Sequence, residues 1–197
     1  MGEYYFNKAT FLKSCDGVES LPEKRLQEVI FVGKSNVGKS SLLNALVNQK
    51  RLAFTSSNPG HTRLLNYYLI EDSFYFVDCP GYGFSQKKNI DYKFYGDMIE
   101  GYFKDNKYLK LVVFLLDSRH IPTDDDLDFY EFIKSTGYHF VICMTKCDKL
   151  NQSGKAKILK NVKEKFGEDA TQSILMVSIN DKKSLVGLKN KIVSKLN

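Results

Sequence analysis

The residues most suited to chemistry form an eight-residue run, Gly-Lys-Ser-Asn-Val-Gly-Lys-Ser, at positions 33–40. This run fits the pattern G-x-x-x-x-G-K-[ST], in which backbone N–H groups and the start of the following helix face phosphate groups. An apolar stretch precedes the run and apolar residues at helical spacing follow it, as this role requires. The run therefore predicts a phosphate-binding loop made of Gly33, Lys34, Ser35, Asn36, Val37, Gly38, Lys39 and Ser40.

Oxygen donors near this loop predict a magnesium site. Lys39 would reach the β- and γ-phosphates of a nucleotide, and Ser40 would give its hydroxyl oxygen to Mg²⁺. Asp78 ends a predicted strand over residues 74–77. P-loop proteins carry an acidic residue at such a strand end that helps to hold the metal, so Asp78 is predicted to bind Mg²⁺ through water.

Two further loops are predicted to respond to the γ-phosphate. Gly81 would let a backbone N–H approach that phosphate, and Thr62 would close on Mg²⁺ only when the phosphate is present. Lys39, Thr62 and Gly81 are therefore the candidate catalytic residues, and Ser40, Thr62 and Asp78 are the candidate metal ligands. The candidate nucleotide-binding residues of the two loops are Gly60, His61, Thr62, Asp78, Cys79, Pro80 and Gly81.

The sequence Thr145-Lys146-Cys147-Asp148 predicts which base is bound. It follows a predicted strand over residues 140–144, and ligands of open α/β sheets bind at such strand ends. The Asp148 carboxylate could accept hydrogen bonds from the guanine ring N–H and the exocyclic amine, whereas adenine would leave it unpaired. The Lys146 stem could lie over the base plane. Together with the phosphate loop, these four residues indicate guanine specificity.

Short apolar runs of strand type alternate with helical patterns along the chain. The predicted strands cover residues 28–32, 64–70, 74–77, 111–116, 140–144 and 174–177, and the predicted helices include residues 124–136, 155–165 and 182–195. This alternation predicts an α/β fold with a mostly parallel sheet of about six strands and helices on both faces. The short gap after residue 70 predicts a hairpin with one antiparallel edge strand. Residues 81–101, rich in Gly, Lys and Asn, predict a mobile segment.

Composition and charge limit the class of protein. Hydrophobic residues make up 43% of the 197 residues, and no apolar run reaches the length of a membrane helix. The four cysteines lack metal-site spacing and are predicted to be free thiols of a cytoplasmic protein. Residues 149–197 carry 11 lysines and 4 acidic residues, within a net charge of +6 for the chain. This basic part indicates either a polyanionic partner or a solvated surface.

In these motifs the chain resembles the EngB (YihA/YsxC) family of translation-factor-related GTPases. The matching stretches are residues 28–46 (EVIFVGKSNVGKSSLLNAL), 59–62 (PGHT), 78–84 (DCPGYGF), 117–122 (DSRHIP) and 145–150 (TKCDKL). They occur in the family's order and span almost the whole chain.

The resemblance implies a fold, an activity and a partner. The fold would be a three-layer P-loop sandwich forming one GTP-binding domain over residues 1–197, with residues 1–26 as an N-terminal extension packed on it. The activity would be GTP hydrolysis with Mg²⁺, and Val177, Ser178 and Ile179 would complete the base site. The partner would be the large ribosomal subunit or its precursor, with its rRNA and proteins, during assembly. Such proteins are also linked to cell division and septation, and this one would act as a monomer without binding membranes.

Two questions about hydrolysis stay open in the sequence. Tyr82 follows Gly81 where many small GTPases have a water-orienting glutamine, which predicts slow intrinsic turnover. His61 and His120 are substitutes for that glutamine only if they are not simply loop residues. Asn36 either holds K⁺ near the phosphates or merely suits the backbone of the loop.

Three other functions fit part of the sequence. A small-molecule kinase would leave the Thr145–Asp148 motif unexplained and would need more than the four arginines present. A nucleotide-gated binding module would use the same loops with negligible hydrolysis. A GTPase of tRNA modification or membrane remodelling would carry extra domains.

Overall fold

The computed structural model describes residues 6–53, 64–83 and 90–197. The strands are β1 (Ala9–Cys15), β2 (Gln27–Gly33), β3 (Leu65–Ile70), β4 (Phe74–Asp78), β5 (Leu109–Asp117), β6 (Phe140–Thr145) and β7 (Ile174–Met176). The helices are α1 (Lys39–Leu46), α2 (Ile90–Phe103), α3 (Asp124–Thr136), α4 (Gln152–Phe166) and α5 (Lys182–Leu196).

The strands form one seven-stranded sheet in the order β1-β3-β4-β2-β5-β6-β7. Strand β3 runs antiparallel to both of its neighbours. The other pairs of neighbouring strands are parallel. The predicted α/β fold with a mostly parallel sheet and an antiparallel hairpin is therefore confirmed.

Both faces of the sheet are covered, and the sequence of β2 shows why. Val29 and Phe31 belong to a core that includes buried residues of α1 and α5. Ile30 and Val32, on the other face, pack in a core that includes residues of α2, α3 and α4. Since side chains alternate along a strand, a continuous apolar run fills both cores. Each such side chain stabilises the fold by about 1.5–3 kcal/mol when fully buried. Among the described residues, no helix has the length and apolar character needed to cross a bilayer.

The sheet has a strand that the sequence pattern did not predict. Strand β1 lies outside β3, so the predicted edge strand is second from the edge. Phe11 and Leu12 of β1 are exposed, while Ala9 and Cys15 at its two ends are buried. The strand therefore has neither the apolar run nor the alternation by which strands are recognised. Its pairing with β3, from Ala9 opposite Ile70 to Cys15 opposite Leu65, holds it in place.

The predicted mobile segment over residues 81–101 includes residues 84–89, which lie outside the described residues, and from Ile90 it is helical. Helix α2 begins at Ile90. Met98, Ile99, Tyr102 and Phe103 are buried in the core of this face. Their spacing of one, four and five residues is that of an amphipathic helix, and this signal was masked by the polar residues before it.

A buried carboxylate joins β2 to α2 near the amino-terminal end of β2, away from the phosphate loop at its other end. Glu28 has no exposed surface. Its oxygens accept hydrogen bonds from the Tyr102 hydroxyl at 2.8 Å and the Asn106 amide at 3.0 Å. The Arg25 guanidinium pairs with it at 3.1 Å. A buried charge is stable only with such partners, so this cluster ties the N-terminal segment and α2 to the central strand.

We predict that Tyr102→Phe lowers the free energy of unfolding by about 1.5–3 kcal/mol, because a buried carboxylate loses one donor. Tyr108→Phe is the control, since the exposed Tyr108 ring stacks on Arg25 and does not need its hydroxyl to do so. Urea unfolding of both variants measures the difference. Equal stability of the two variants would show that Glu28 does not depend on Tyr102.

Candidate functional site

Four neighbouring strands bring the predicted site residues to one edge of the sheet. Strands β4, β2, β5 and β6 are parallel, so their carboxyl ends lie side by side. These ends carry Asp78, Gly33, Asp117 and Thr145, respectively. Parallel strands place ligands at this edge, and here it joins the predicted phosphate, metal and base segments.

The loop between β2 and α1 needs glycine at both ends. A Cβ on Gly33 would come within 2.8 Å of the Leu115 carbonyl oxygen. Gly38 has a φ of 104° and stands immediately before α1, without a side chain to cap it. In contrast, α4 and α5 begin with Asn151 and Asp181, whose side chains accept backbone N–H bonds. The first N–H groups of α1 therefore have no side-chain cap from Gly38 and can bind an anion.

Lys39 and Asp78 form an ion pair in which both side chains are largely buried. Lys39 is the first residue of α1 and Asp78 the last residue of β4, so the pair joins the phosphate loop to the predicted metal loop. Ser40 follows in the first turn of α1. A carboxylate and a hydroxyl suit Mg²⁺, which takes one or two such ligands and keeps water or phosphate oxygens in its other positions. The donor set of Asp78 and Ser40 therefore fits this ion.

The third predicted metal ligand, Thr62, belongs to a loop that the structure does not describe. Gly60, His61 and Thr62 lie outside the described residues. Gly81 is described and lies against the phosphate loop. A Cβ on Gly81 would come within 2.6 Å of the Ser35 hydroxyl oxygen and 2.9 Å of the Ser35 backbone, so only glycine fits there.

The base segment is fastened directly to the phosphate loop. The Thr145 hydroxyl donates to the Val37 carbonyl oxygen at 2.8 Å. The Lys146 ammonium donates to the Asn36 carbonyl oxygen at 2.9 Å. Lys146 has a φ of 58° and Asn36 a φ of 64°, so both occupy the left-handed region. Asparagine is enriched in that region, so the backbone conformation is one sufficient reason for Asn36.

Asp148 is held by the last loop of the predicted base site. The Ser178 hydroxyl donates to one oxygen of Asp148 at 2.8 Å, and the Asn180 amide reaches the other at 3.4 Å. The hydrogen bond from Ser178 lowers the pKa of Asp148. The carboxylate is therefore ionised at neutral pH and can act as an acceptor. Ser178 is in turn held by Ser184, whose hydroxyl accepts its N–H at 3.1 Å.

Several predicted contact residues can reach a nucleotide only through their backbone. Val37, Cys79, Pro80, Cys147 and Val177 have buried side chains. Burial raises the pKa of the Cys79 thiol to about 12, so this group stays neutral. Their assignment to the nucleotide site therefore stays a prediction in which backbone atoms make the contacts. Ile179 differs, with half of its surface exposed.

Asp117 and Arg119 are site residues to which the sequence assigned no role. Asp117 ends β5 and accepts the Lys146 ammonium at 2.8 Å. The Arg119 guanidinium donates a hydrogen bond to each Asp117 oxygen, at 2.9 and 2.7 Å. Burial would raise the pKa of Asp117, but the hydrogen bonds from Arg119 and Lys146 outweigh it and hold that pKa well below its ordinary value. The sequence did contain a signal for Asp117, because it is an acidic residue at the end of a buried strand, like Asp78.

Comparison with known proteins identifies this arrangement. Residues 28–146 match the model of a family described as "50S ribosome-binding GTPase". A probable GTP-binding protein EngB of Clostridium kluyveri is 42% identical over 171 residues, which cover 87% of this chain and 87% of that protein.

Solved structures show the same fold. A crystal structure of a probable GTP-binding protein EngB has a TM-score of 0.69 at 22% identity and covers 86% of this chain and 98% of its own. The protein Era, solved with MgGDPNP and a segment of 16S ribosomal RNA, has a TM-score of 0.67 at 24% identity and covers 88% of this chain and 57% of its own.

The family assignment decides against a small-molecule kinase, since the matched model is described as a GTPase and the C. kluyveri relative as a probable GTP-binding protein. The chain belongs to the EngB family of GTP-binding proteins, and it is a GTPase that binds and hydrolyses GTP.

Proposed function

We propose that this GTPase is a switch that binds the large ribosomal subunit or its precursor during assembly, through rRNA and ribosomal proteins. On this proposal it acts in the cytoplasm as a monomer that does not bind membranes, and it is needed for normal cell division and septation. The description of the matched family as ribosome-binding supports the partner. The rRNA segment bound to Era supports contact with RNA by a protein of this fold.

The observation that carries the partner proposal is the state of the lysines on the two C-terminal helices. On α4, three of the five lysines, Lys160, Lys163 and Lys165, pair with acidic side chains, whereas Lys155 and Lys157 have no ion-pair partner among the residues with described side chains. On α5, the lysines at 182, 183, 191 and 195 have no ion-pair partner among the residues with described side chains. Unpaired cations bind phosphate groups without first losing a partner. Helix α5 is therefore the better candidate for the RNA-binding surface.

We propose the following roles at the nucleotide. Lys39 and the first N–H groups of α1 hold the β- and γ-phosphates. Ser40 and Thr62 would hold Mg²⁺, with Asp78 doing so through water, and the ion would neutralise charge on the phosphate oxygens. Asp148 reads the guanine edge, with Ser178 and Thr145 keeping its loop in place. Lys146 lies over the base while Asp117 and the Asn36 carbonyl fix its ammonium.

We also propose that intrinsic hydrolysis is slow and that a partner accelerates it. The residue after Gly81 is Tyr82, whose hydroxyl donates to Asp126 at 2.7 Å. Tyr82 therefore neither supplies the amide of a water-orienting glutamine nor has its hydroxyl free for that task. A group from the ribosomal partner would complete the site.

Asp148→Asn tests the guanine assignment. The amide would place a donor where guanine also donates, so GTP affinity should fall by at least about tenfold while affinity for xanthosine triphosphate rises. Equilibrium binding with both nucleotides measures this change. Asp72→Asn is the matched control, because Asp72 lies in the β3–β4 turn and pairs with Lys8. Unchanged GTP affinity in Asp148→Asn would remove this residue from the base site.

A comparison of K⁺ with Na⁺ tests Asn36. Its left-handed backbone explains the asparagine, so we expect single-turnover rates at equal ionic strength to agree within about twofold. Asn36→Gly removes the side chain but tolerates the same φ, and it should retain that rate. A rate at least about tenfold faster in K⁺, lost in Asn36→Gly, would instead assign a K⁺ contact to the Asn36 side chain.

Sedimentation with purified ribosomal subunits tests the partner. The protein should pellet with large but not small subunits, and because it is proposed to be a switch, the pelleted fraction should differ between GDP and a non-hydrolysable GTP analogue. Binding should weaken steeply with salt, because lysine–phosphate contacts release counterions. Lys182→Ala with Lys183→Ala should reduce pelleting several-fold, and Lys160→Ala with Lys163→Ala, the control on α4, should not. Pelleting with small subunits alone, or with neither, would contradict the proposal.

A further inference from the structure

Tyr82 is held through both its backbone and its side chain. Its carbonyl oxygen accepts the Ser35 N–H at 3.2 Å, which joins it to the phosphate loop. Its hydroxyl donates to Asp126 at 2.7 Å. The residue is 9% exposed, and its ring stacks on Phe129 with centroids 4.8 Å apart and planes 15° apart. The residue after Gly81 is thus fixed between the phosphate loop and α3.

Asp126 is a firm anchor because it also caps its own helix. Its second oxygen accepts the backbone N–H and the hydroxyl of Thr123, each at 2.8 Å. Thr123 stands immediately before α3, so these bonds satisfy groups at the start of that helix. A movement of the Asp126 carboxylate together with Tyr82 would therefore break the bonds from Thr123 that cap α3.

Lys34 makes a second connection between the phosphate loop and the start of α3, beside the hydrogen bond from Tyr82 to Asp126. Its ammonium reaches the Thr123 hydroxyl at 3.3 Å and Asp125 at 3.6 Å. Gly83 has a φ of 86° and packs against this side chain, and a Cβ added to it would come within 2.9 Å of the Lys34 Cε. The chain on both sides of Tyr82 thus lies close to residues that contact the start of α3.

Gly81 lies between this anchor and a second one. On the other side, the Cys79 N–H donates to the Phe31 carbonyl oxygen at 3.0 Å, which fixes the end of β4. Pro80, with its restricted φ, fills the remaining position. The placement of Gly81 against Ser35 therefore depends on what holds Tyr82.

We propose that Tyr82 is a positioning residue for the triphosphate: its bond to Asp126 keeps the Gly81 N–H at the phosphate loop, where the γ-phosphate needs it. The inference rests on the proposed role of Gly81 toward that phosphate. GDP has no γ-phosphate, so the loss of this bond weakens binding of GTP and leaves binding of GDP nearly unchanged.

Tyr82→Phe tests the proposal, because it removes the hydroxyl and keeps the ring on Phe129. We expect the ratio of the Kd for GDP to the Kd for a non-hydrolysable GTP analogue to fall about fivefold, with the GDP value within about twofold of wild type. Asp126→Asn should lower the same ratio, and the double variant should add little, since both remove one interaction.

Tyr138→Phe is the matched control, since this partly buried tyrosine packs against the same core and donates to the Phe103 and Asn106 carbonyl oxygens. It should reduce stability without changing the ratio. Equal losses for both nucleotides in Tyr82→Phe, or no loss, would overturn the role of Tyr82.

Gly81→Ala separates this inference from its premise. A lower ratio in Gly81→Ala with an unchanged ratio in Tyr82→Phe would keep the role of Gly81 and reject that of Tyr82. An unchanged ratio in Gly81→Ala would reject both.

Discussion

The turn between β2 and α1, which begins and ends with glycine, is the constraint on which the rest of the site depends. The turn packs so closely on β5 that Gly33 has no room for a Cβ. It then enters α1 through Gly38, whose positive φ suits glycine and which offers no side chain to the N–H groups that follow. A helix start of this kind is stabilised when an anion takes the place of a cap. The fold thus leaves an uncapped helix start at the carboxyl edge of the sheet.

The other loops of the site are fixed relative to this turn rather than only to the strands that carry them. Thr145 and Lys146 bond to the carbonyl oxygens of Val37 and Asn36, so the base segment and the phosphate segment share one frame. The Ser35 N–H donates to the Tyr82 carbonyl oxygen, so the loop after Asp78 is bonded to the same turn. Pre-formed contacts of this kind reduce the ordering that a ligand must otherwise impose, which favours affinity and selectivity together.

The residues of the site that could be predicted from the sequence belong to short motifs of neighbouring residues. The glycines of the phosphate loop, Asp78 and Asp148 each stand next to the strand that positions them, so the order of residues was sufficient. The partners of these residues come from distant parts of the chain. Asp117 meets Lys146 across 29 positions, and Tyr82 meets Asp126 across 44. Only the fold brings them together. Strand β1 was missed for a similar reason, because its stability comes from pairing with β3 and not from its own pattern.

The central claim is that the phosphate loop, the loop after Asp78 and the Thr145–Asp148 segment bind one nucleotide along one edge of the sheet. A crystal structure of the protein with Mg²⁺ and a non-hydrolysable GTP analogue tests it most directly. The account predicts the guanine edge on the Asp148 carboxylate and the triphosphate within residues 33–40, with Mg²⁺ between the γ-phosphate and Ser40. A base located away from Asp148, or phosphates outside the turn before α1, would contradict it.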